Sequence, residues 1–176
     1  MRGKIIFILG GARSGKSTFA IKEVSEISGD RVYIATAEVL DEEMRERIEN
    51  HKRLRGDGWI TYEEPLRIAD LVEDIKGKYS VILLDCLTLW LSNLMKAGLN
   101  IEAEIESFIS SLLTPHSSLM YIVSNEVGMG IVPENEMARR FRDMAGVLNQ
   151  KMAEVSDKVY MVVAGIPIKI KDKGEA

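Results

Sequence analysis

A single cysteine, Cys86, leaves this chain without an internal disulfide and suits a reducing compartment. Positive charge is not in excess: 23 Lys and Arg stand against 27 Asp and Glu, a formal net charge of −4. That balance offers nothing to a nucleic-acid backbone or an acidic membrane surface, although a phosphate pocket needs only a few local cations. No apolar run approaches the ~20 residues a membrane span requires. The run at 5–9 is too short for a signal peptide, and glycines follow it at once. Linkers, internal repeats and low-complexity segments are missing too. These absences leave a cytoplasmic chain of 176 residues, 46% apolar and 28% charged, expected to fold as one domain over 1–176.

What is present alternates between two periods. Short apolar runs at 4–9, 31–36, 79–85, 119–124 and 158–164 read as buried strands, with a short sixth strand at 167–171. Between them lie amphipathic stretches that read as helices, at 16–27, 41–54, 66–75, 87–96, 101–113 and 134–155. The stretch 41–54 starts acidic and ends basic, as the helix macrodipole favours, with Met44 and Ile48 on one side. Residues 172–176 read as a mobile polar tail. Strands alternating with helices predict an α/β fold, a mostly parallel sheet with helices on both faces.

The loop between the first strand and first helix reads Gly10-Gly11-Ala12-Arg13-Ser14-Gly15-Lys16-Ser17, a full match to G-x-x-x-x-G-K-[ST] in the strand–loop–helix context that motif demands. Glycines let main-chain N–H groups close round phosphates, and the helix N-terminus adds partial positive charge. Lys16 brings a point charge to the outer phosphates, and the Ser17 hydroxyl is a Mg²⁺ ligand. Arg13 belongs to the loop or is simply solvated. Asp85 ends an apolar strand, where it either organises Mg²⁺ or caps the next helix. Cys86 reads as a small buried residue rather than a nucleophile.

His51 shares the apolar side of its helix with Ile48, and on pattern alone it is packed, solvated or catalytic. Lys52, Arg53 and Arg55 crowd beside it and either face a triphosphate or sit in water at a helix end. His116 lies in a turn-like stretch and reads as surface. The polar segment 124–130 follows the fourth strand at the edge where parallel sheets bind ligands. By themselves these features also fit a P-loop kinase for another small molecule, or a GTP-dependent switch.

Four segments narrow the field: GGARSGKS at 10–17, YIATAEVLDEEMRERIENH at 33–51, SNEVGMGIVPENEMARRFRDMAGVLNQ at 124–150 and VYMVVAGIPIKIK at 159–171. Together they resemble the bifunctional adenosylcobinamide kinase/adenosylcobinamide-phosphate guanylyltransferase family. The resemblance implies a RecA-like P-loop domain and two reactions. In the first, adenosylcobinamide takes the γ-phosphoryl of ATP or GTP. In the second, a histidine attacks the α-phosphorus of GTP, and adenosylcobinamide phosphate then takes the GMP. The family's R-I-x-x-H pattern falls on Arg47-Ile48-Glu49-Asn50-His51, which makes His51 the implied nucleophile, with Lys16 as its catalytic cation. Implied nucleotide contacts are the loop 10–17, Ile34, Ala35, Thr36, Arg55, Glu63 and Asp85, with Ser17 and Asp85 on Mg²⁺. A homotrimer is also implied, with Trp90 and Leu94 candidates either for its contacts or for the core. Three positions depart from the family: Gly56 replaces a frequent proline, Asp85 a frequent glutamate, and Asn50 the first of a histidine pair.

Overall fold

The structure is a computed structural model that describes residues 2–38 and 42–174, less the side chains at 43, 44 and 47. The expected helix start at Asp41, the apolar contact of Met44 and the tail end at 175–176 lie outside the described residues.

Among the described residues, seven strands and six helices follow in the order β1 (Ile5–Gly10), α1 (Lys16–Ser25), β2 (Arg31–Ala35), α2 (Glu42–Arg55), β3 (Trp59–Glu63), α3 (Ile68–Ile75), β4 (Val81–Asp85), α4 (Leu87–Ala97), α5 (Ile101–Leu113), β5 (Leu119–Asn125), α6 (Glu136–Val155), β6 (Lys158–Val163) and β7 (Ile166–Asp172). They form one sheet in the order β3-β2-β4-β5-β1-β6-β7. Every neighbouring pair is parallel except β6 and β7, an antiparallel hairpin at one edge.

Alternation along the strands divides the core in two. Ile5, Phe7, Val32, Ile34, Ile82 and Leu84 pack with residues of α3, α4, α5 and α6 on one face. Ile6, Ile8, Tyr33, Val81 and Leu83 pack with α1 on the other. Helices end where local chemistry stops them. Asn100 and Asn135 accept main-chain N–H bonds from Ala103 and Ala138 and set the starts of α5 and α6. Gly98, at φ +67°, closes α4 in the left-handed conformation that a side chain resists.

Several sequence expectations change. Trp59–Glu63 is an edge strand where no strand was expected, because its exposed and half-buried residues form no apolar run. Trp90 and Leu94 are wholly buried, so neither is a surface contact. Trp90 packs against Phe108 at 5.4 Å and donates its indole N–H to the Leu66 carbonyl. His116 is not surface either: it is only 9% exposed, and a Cβ on Gly3 would come within 2.7 Å of its ring. The tail expectation fails at Asp172, which ends β7 and is paired with Lys158 and Lys169, and at Lys173, whose N–H bonds the Asp157 carbonyl.

Candidate active site

The carboxyl ends of β1, β2, β4 and β5 lie along one edge of the sheet, and the chemistry-bearing residues gather there. Gly10 ends β1, and the chain must reverse into α1 within a few residues. Arg13 and Gly15 accomplish this at φ +56° and +93°. A turn of this kind collects main-chain N–H groups into an anion-binding hollow. Gly10 is needed for space, since a Cβ there would lie 2.4 Å from Ser14 Oγ and 2.7 Å from the Val162 carbonyl oxygen. Gly165, in the β6–β7 turn, donates its N–H to the Ser14 carbonyl at 2.8 Å and braces the loop from outside. Lys16 is 6% exposed, and its Nζ donates to the Gly11 carbonyl at 3.0 Å, folded back over the loop it serves.

Asp85 does not cap α4; Cys86 occupies that position, without a side-chain cap bond. The Asp85 carboxylate accepts instead from the Tyr33 hydroxyl at 3.3 Å and from Ser17, and lies 3.6 Å from His51 Nδ1. Burial pushes its carboxyl up, but hydrogen bonding and charge from His51, joined by Ser17 and Lys16, outweigh that and hold it below the ordinary carboxylate value. Burial, reinforced by the Asp85 charge, holds the Tyr33 phenol far above its ordinary value, so it remains a donor.

Helix α2 crosses over this edge with its last turns facing inward. His51, Lys52 and Arg55 line the cavity beneath it, whereas Arg53 turns outward to bond Asn50. The Arg55 guanidinium lies 3.6 Å over the Tyr33 ring, and burial lowers its pKa. Trp59 locks the pair, stacking edge-on against Tyr33 and donating to the Arg55 carbonyl. Lys52 reaches the Glu63 carboxylate at 3.4 Å.

The resulting cavity, about 410 Å³, is of the size that takes a small ligand. It brings together Lys16, Ser17, Ala35, His51, Arg55, Glu63 and Asp85 from the sequence-derived set. Gly10 to Gly15 form the phosphate loop leading into Lys16. Ile34 and Thr36 do not line it: both are wholly buried on the opposite sheet face. Thr36 instead ties its hydroxyl to the main chain of Cys86. Asn125, from the polar segment 124–130 expected at the ligand-binding edge, lines the cavity and pairs with Gly10 in register. Sequence reasoning missed Tyr33 as a lining residue, although it was within reach, two strand positions before Ala35. Asn125 donates its amide to Thr88 at 2.7 Å. Cys86 is buried, and its thiol pKa is raised by burial and by Asp85, which suits packing rather than nucleophilic attack.

Mg²⁺ fits here. Ser17 and Asp85 put a hydroxyl and a carboxylate in hydrogen-bond contact at the loop's end, two hard oxygen donors of the kind the ion prefers. Among the described residues no group of three or more His, Cys, Asp or Glu is placed to hold an ion alone. A nucleotide-borne ion that keeps phosphate oxygens and water as its other ligands needs none.

Residues 6–170 match the family model described as cobinamide kinase / cobinamide phosphate guanyltransferase. The chain is 39% identical to the bifunctional adenosylcobalamin biosynthesis protein CobU of Escherichia coli strain K12, over 95% of this chain and 99% of that one. It is 41% identical to CobU of Salmonella typhimurium, with the same coverage, and 41% identical to CobP of Pseudomonas aeruginosa, over 93% and 95%. Two solved structures share the fold at low identity. A type III secretion system ATPase superposes with TM-score 0.58 at 12% identity, covering 96% of this chain and 57% of its own. The RadB recombinase superposes with TM-score 0.54 at 15% identity, covering 91% and 74%. The likeness is one of fold, a mostly parallel sheet flanked by helices.

Proposed function

The chain belongs to the cobinamide kinase / cobinamide phosphate guanyltransferase family, and on that premise we propose that its cavity carries out two successive transfers. In the first, the aminopropanol hydroxyl of adenosylcobinamide takes the γ-phosphoryl of ATP or GTP. In the second, His51 takes GMP from GTP, releases pyrophosphate and passes the GMP to adenosylcobinamide phosphate, giving adenosylcobinamide-GDP. The observation that carries this reading is that His51, on α2, and Lys16 and Ser17, at the phosphate loop, line one cavity.

Each residue has a physical task. The loop amides and the helix N-terminus hold the outer phosphates, and Lys16 stabilises charge on the transferring or departing group. Ser17 and Asp85 would hold Mg²⁺, which when bound supplies Lewis-acid stabilisation of the phosphate oxygens. Arg55 and Glu63, which also line the cavity, would contact the rest of the nucleotide. A neutral imidazole is a good nucleophile near neutral pH, and the covalent route divides one hard transfer into two easier ones.

A homotrimer remains part of the proposal. With Trp90 and Leu94 buried, its contacts have to be sought among residues such as Met129, Ile131 and Met137, which are 82%, 96% and 74% exposed.

The test is to incubate the protein with Mg²⁺ and GTP labelled at the α-phosphate. Acid-labile, base-stable label should appear on the protein, vanish in His51→Ala, and discharge when adenosylcobinamide phosphate is added. Label persisting in His51→Ala overturns the choice of nucleophile. No label at all favours a kinase for another small molecule or a nucleotide switch.

A further inference from the structure

We infer that Asp85 determines which nitrogen of His51 attacks: its carboxylate engages Nδ1, so Nε2 is the atom that takes the GMP. This rests on the reading of His51 as the nucleophile and deepens it.

The geometry is specific. Asp85 Oδ2 lies 3.6 Å from His51 Nδ1, and its side chain is only 8% exposed against 28% for the histidine. The carboxylate is aimed from several sides. The end of β4 fixes its main chain, the Tyr33 hydroxyl donates to the same Oδ2 at 3.3 Å, and Ser17 donates from the phosphate loop. Tyr33 is itself clamped beneath the Arg55 guanidinium. A separation of this length needs only a small approach to become a hydrogen bond, and catalytic contacts of this kind tighten on substrate binding.

An ionised carboxylate only accepts hydrogen bonds, so the ring nitrogen beside it must carry the hydrogen. In a neutral imidazole that leaves the lone pair on Nε2, on the far side of the ring. The Nε2 lone pair then forms a bond to the α-phosphorus as the bond from that phosphorus to the bridging oxygen breaks. Pyrophosphate departs with the electron pair. The hydrogen stays on Nδ1, so the guanylylated ring is cationic and faces the Asp85 carboxylate. A cationic ring is the better leaving group in the return step. There a phosphate oxygen of adenosylcobinamide phosphate bonds to the phosphorus, the Nε2–P bond breaks, and neutral imidazole is restored. Asp85 acts on this chemistry through His51 and is, for the guanylyl transfer, a positioning residue. A carboxylate offers two oxygens and about four acceptor sites, enough to serve His51 and the Ser17 side together.

The regiochemistry of the adduct tests the inference. The wild-type protein is guanylylated with GTP and Mg²⁺, the ribose is removed by periodate oxidation and elimination, and the alkaline hydrolysate is separated against the two phosphohistidine standards. The Nε2 isomer is expected, and the Nδ1 isomer overturns the inference. Absence of base-stable label, or label on another residue, overturns the assignment of His51 itself, a distinguishable result. A second measurement needs neither nucleotide nor metal. With only two histidines in the chain, ¹⁵N spectra at alkaline pH are assignable by comparison with His116→Gln. His51 should show a hydrogen-bearing Nδ1 and a bare Nε2. Asp85→Asn should shift that tautomer balance, and Asp85→Glu should restore it. A His51 pattern unmoved by Asp85→Asn, in a variant with unchanged circular dichroism, overturns the positioning role.

Discussion

Replacing Thr36 with valine should damage both the fold and the transfer chemistry, although Thr36 does not itself line the cavity. Its side chain is wholly buried just beyond β2, and its hydroxyl clamps the chain at the end of β4. Oγ1 donates to the Cys86 carbonyl at 2.8 Å and accepts from the Cys86 N–H at 2.9 Å. Valine keeps the shape and removes the hydroxyl. The Cys86 carbonyl still receives the Trp90 N–H at 3.2 Å, so it retains a partner. The Cys86 N–H is the group left with its bond broken in a dry interior. An ordinary buried hydrogen bond is worth about 1 kcal/mol, and stranding a buried donor costs about 1–3 kcal/mol, so the change should cost about 2–4 kcal/mol. With a urea slope of about 2 kcal/mol/M, the unfolding midpoint should fall by about 1–2 M. Thr36→Ser keeps the hydroxyl and loses one buried methyl, about 1 kcal/mol. Asp85 is the residue next to Cys86, so slack at this clamp moves the carboxylate that faces His51. Guanylylation by Thr36→Val, measured where both variants are folded, should therefore fall well below that of Thr36→Ser. Equal stabilities of Thr36→Val and Thr36→Ser within about 0.5 kcal/mol, or equal guanylylation rates, would refute the reasoning.

Three further outcomes are expected. Gly10→Ala places a Cβ 2.4 Å from Ser14 Oγ and 2.7 Å from the Val162 carbonyl, which overpacks the loop by about 1–3 kcal/mol; GTP affinity by calorimetry should drop with it. Lys16→Met should keep the circular dichroism spectrum and lower both phosphoryl and guanylyl transfer by about 100- to 1000-fold, read in single-turnover assays. Burial lowers the pKa of His116, so the folded state takes up its proton less readily than the unfolded chain. Its contribution is complete above the unfolded value of about 6.5 and is lost as pH falls through the depressed folded value. His116→Gln should flatten that part of a Tm-against-pH curve, and an unchanged slope would exclude it as the cause.

The phosphate loop was legible because everything it needs is contiguous: eight residues, one strand before, one helix after. Asp85 was legible as a strand-ending carboxylate, but not its partners, since Tyr33, Ser17 and His51 arrive from three other elements. His51 shows the limit most clearly. Its pattern on α2 is that of an ordinary packed histidine, and what distinguishes it is a carboxylate 34 positions away that only the folded sheet brings to 3.6 Å. The family resemblance supplied what local pattern lacked. Strand β3 was missed for the opposite reason. Lying at the sheet edge, it leaves Ile60 42% exposed and so lacks the apolar run that marks an interior strand.

The triplet Ile34-Ala35-Thr36 carries a sharper lesson, because elementary geometry argues against treating it as a unit. Side chains alternate across a strand, so Ala35 faces the site while Ile34 and Thr36 face the opposite core. The same two-residue period that turns the Ile34 side chain away brings in Tyr33, whose hydroxyl reaches Asp85 across the paired strand β4. Ala35 and Asp85 stand opposite each other in that ladder, so sheet register is what delivers the carboxylate to the cavity. Thr36 does not line this cavity but is bonded to Cys86, which does. A residue that resemblance places at a ligand can thus act one step removed, by holding the backbone that aims the residue in contact.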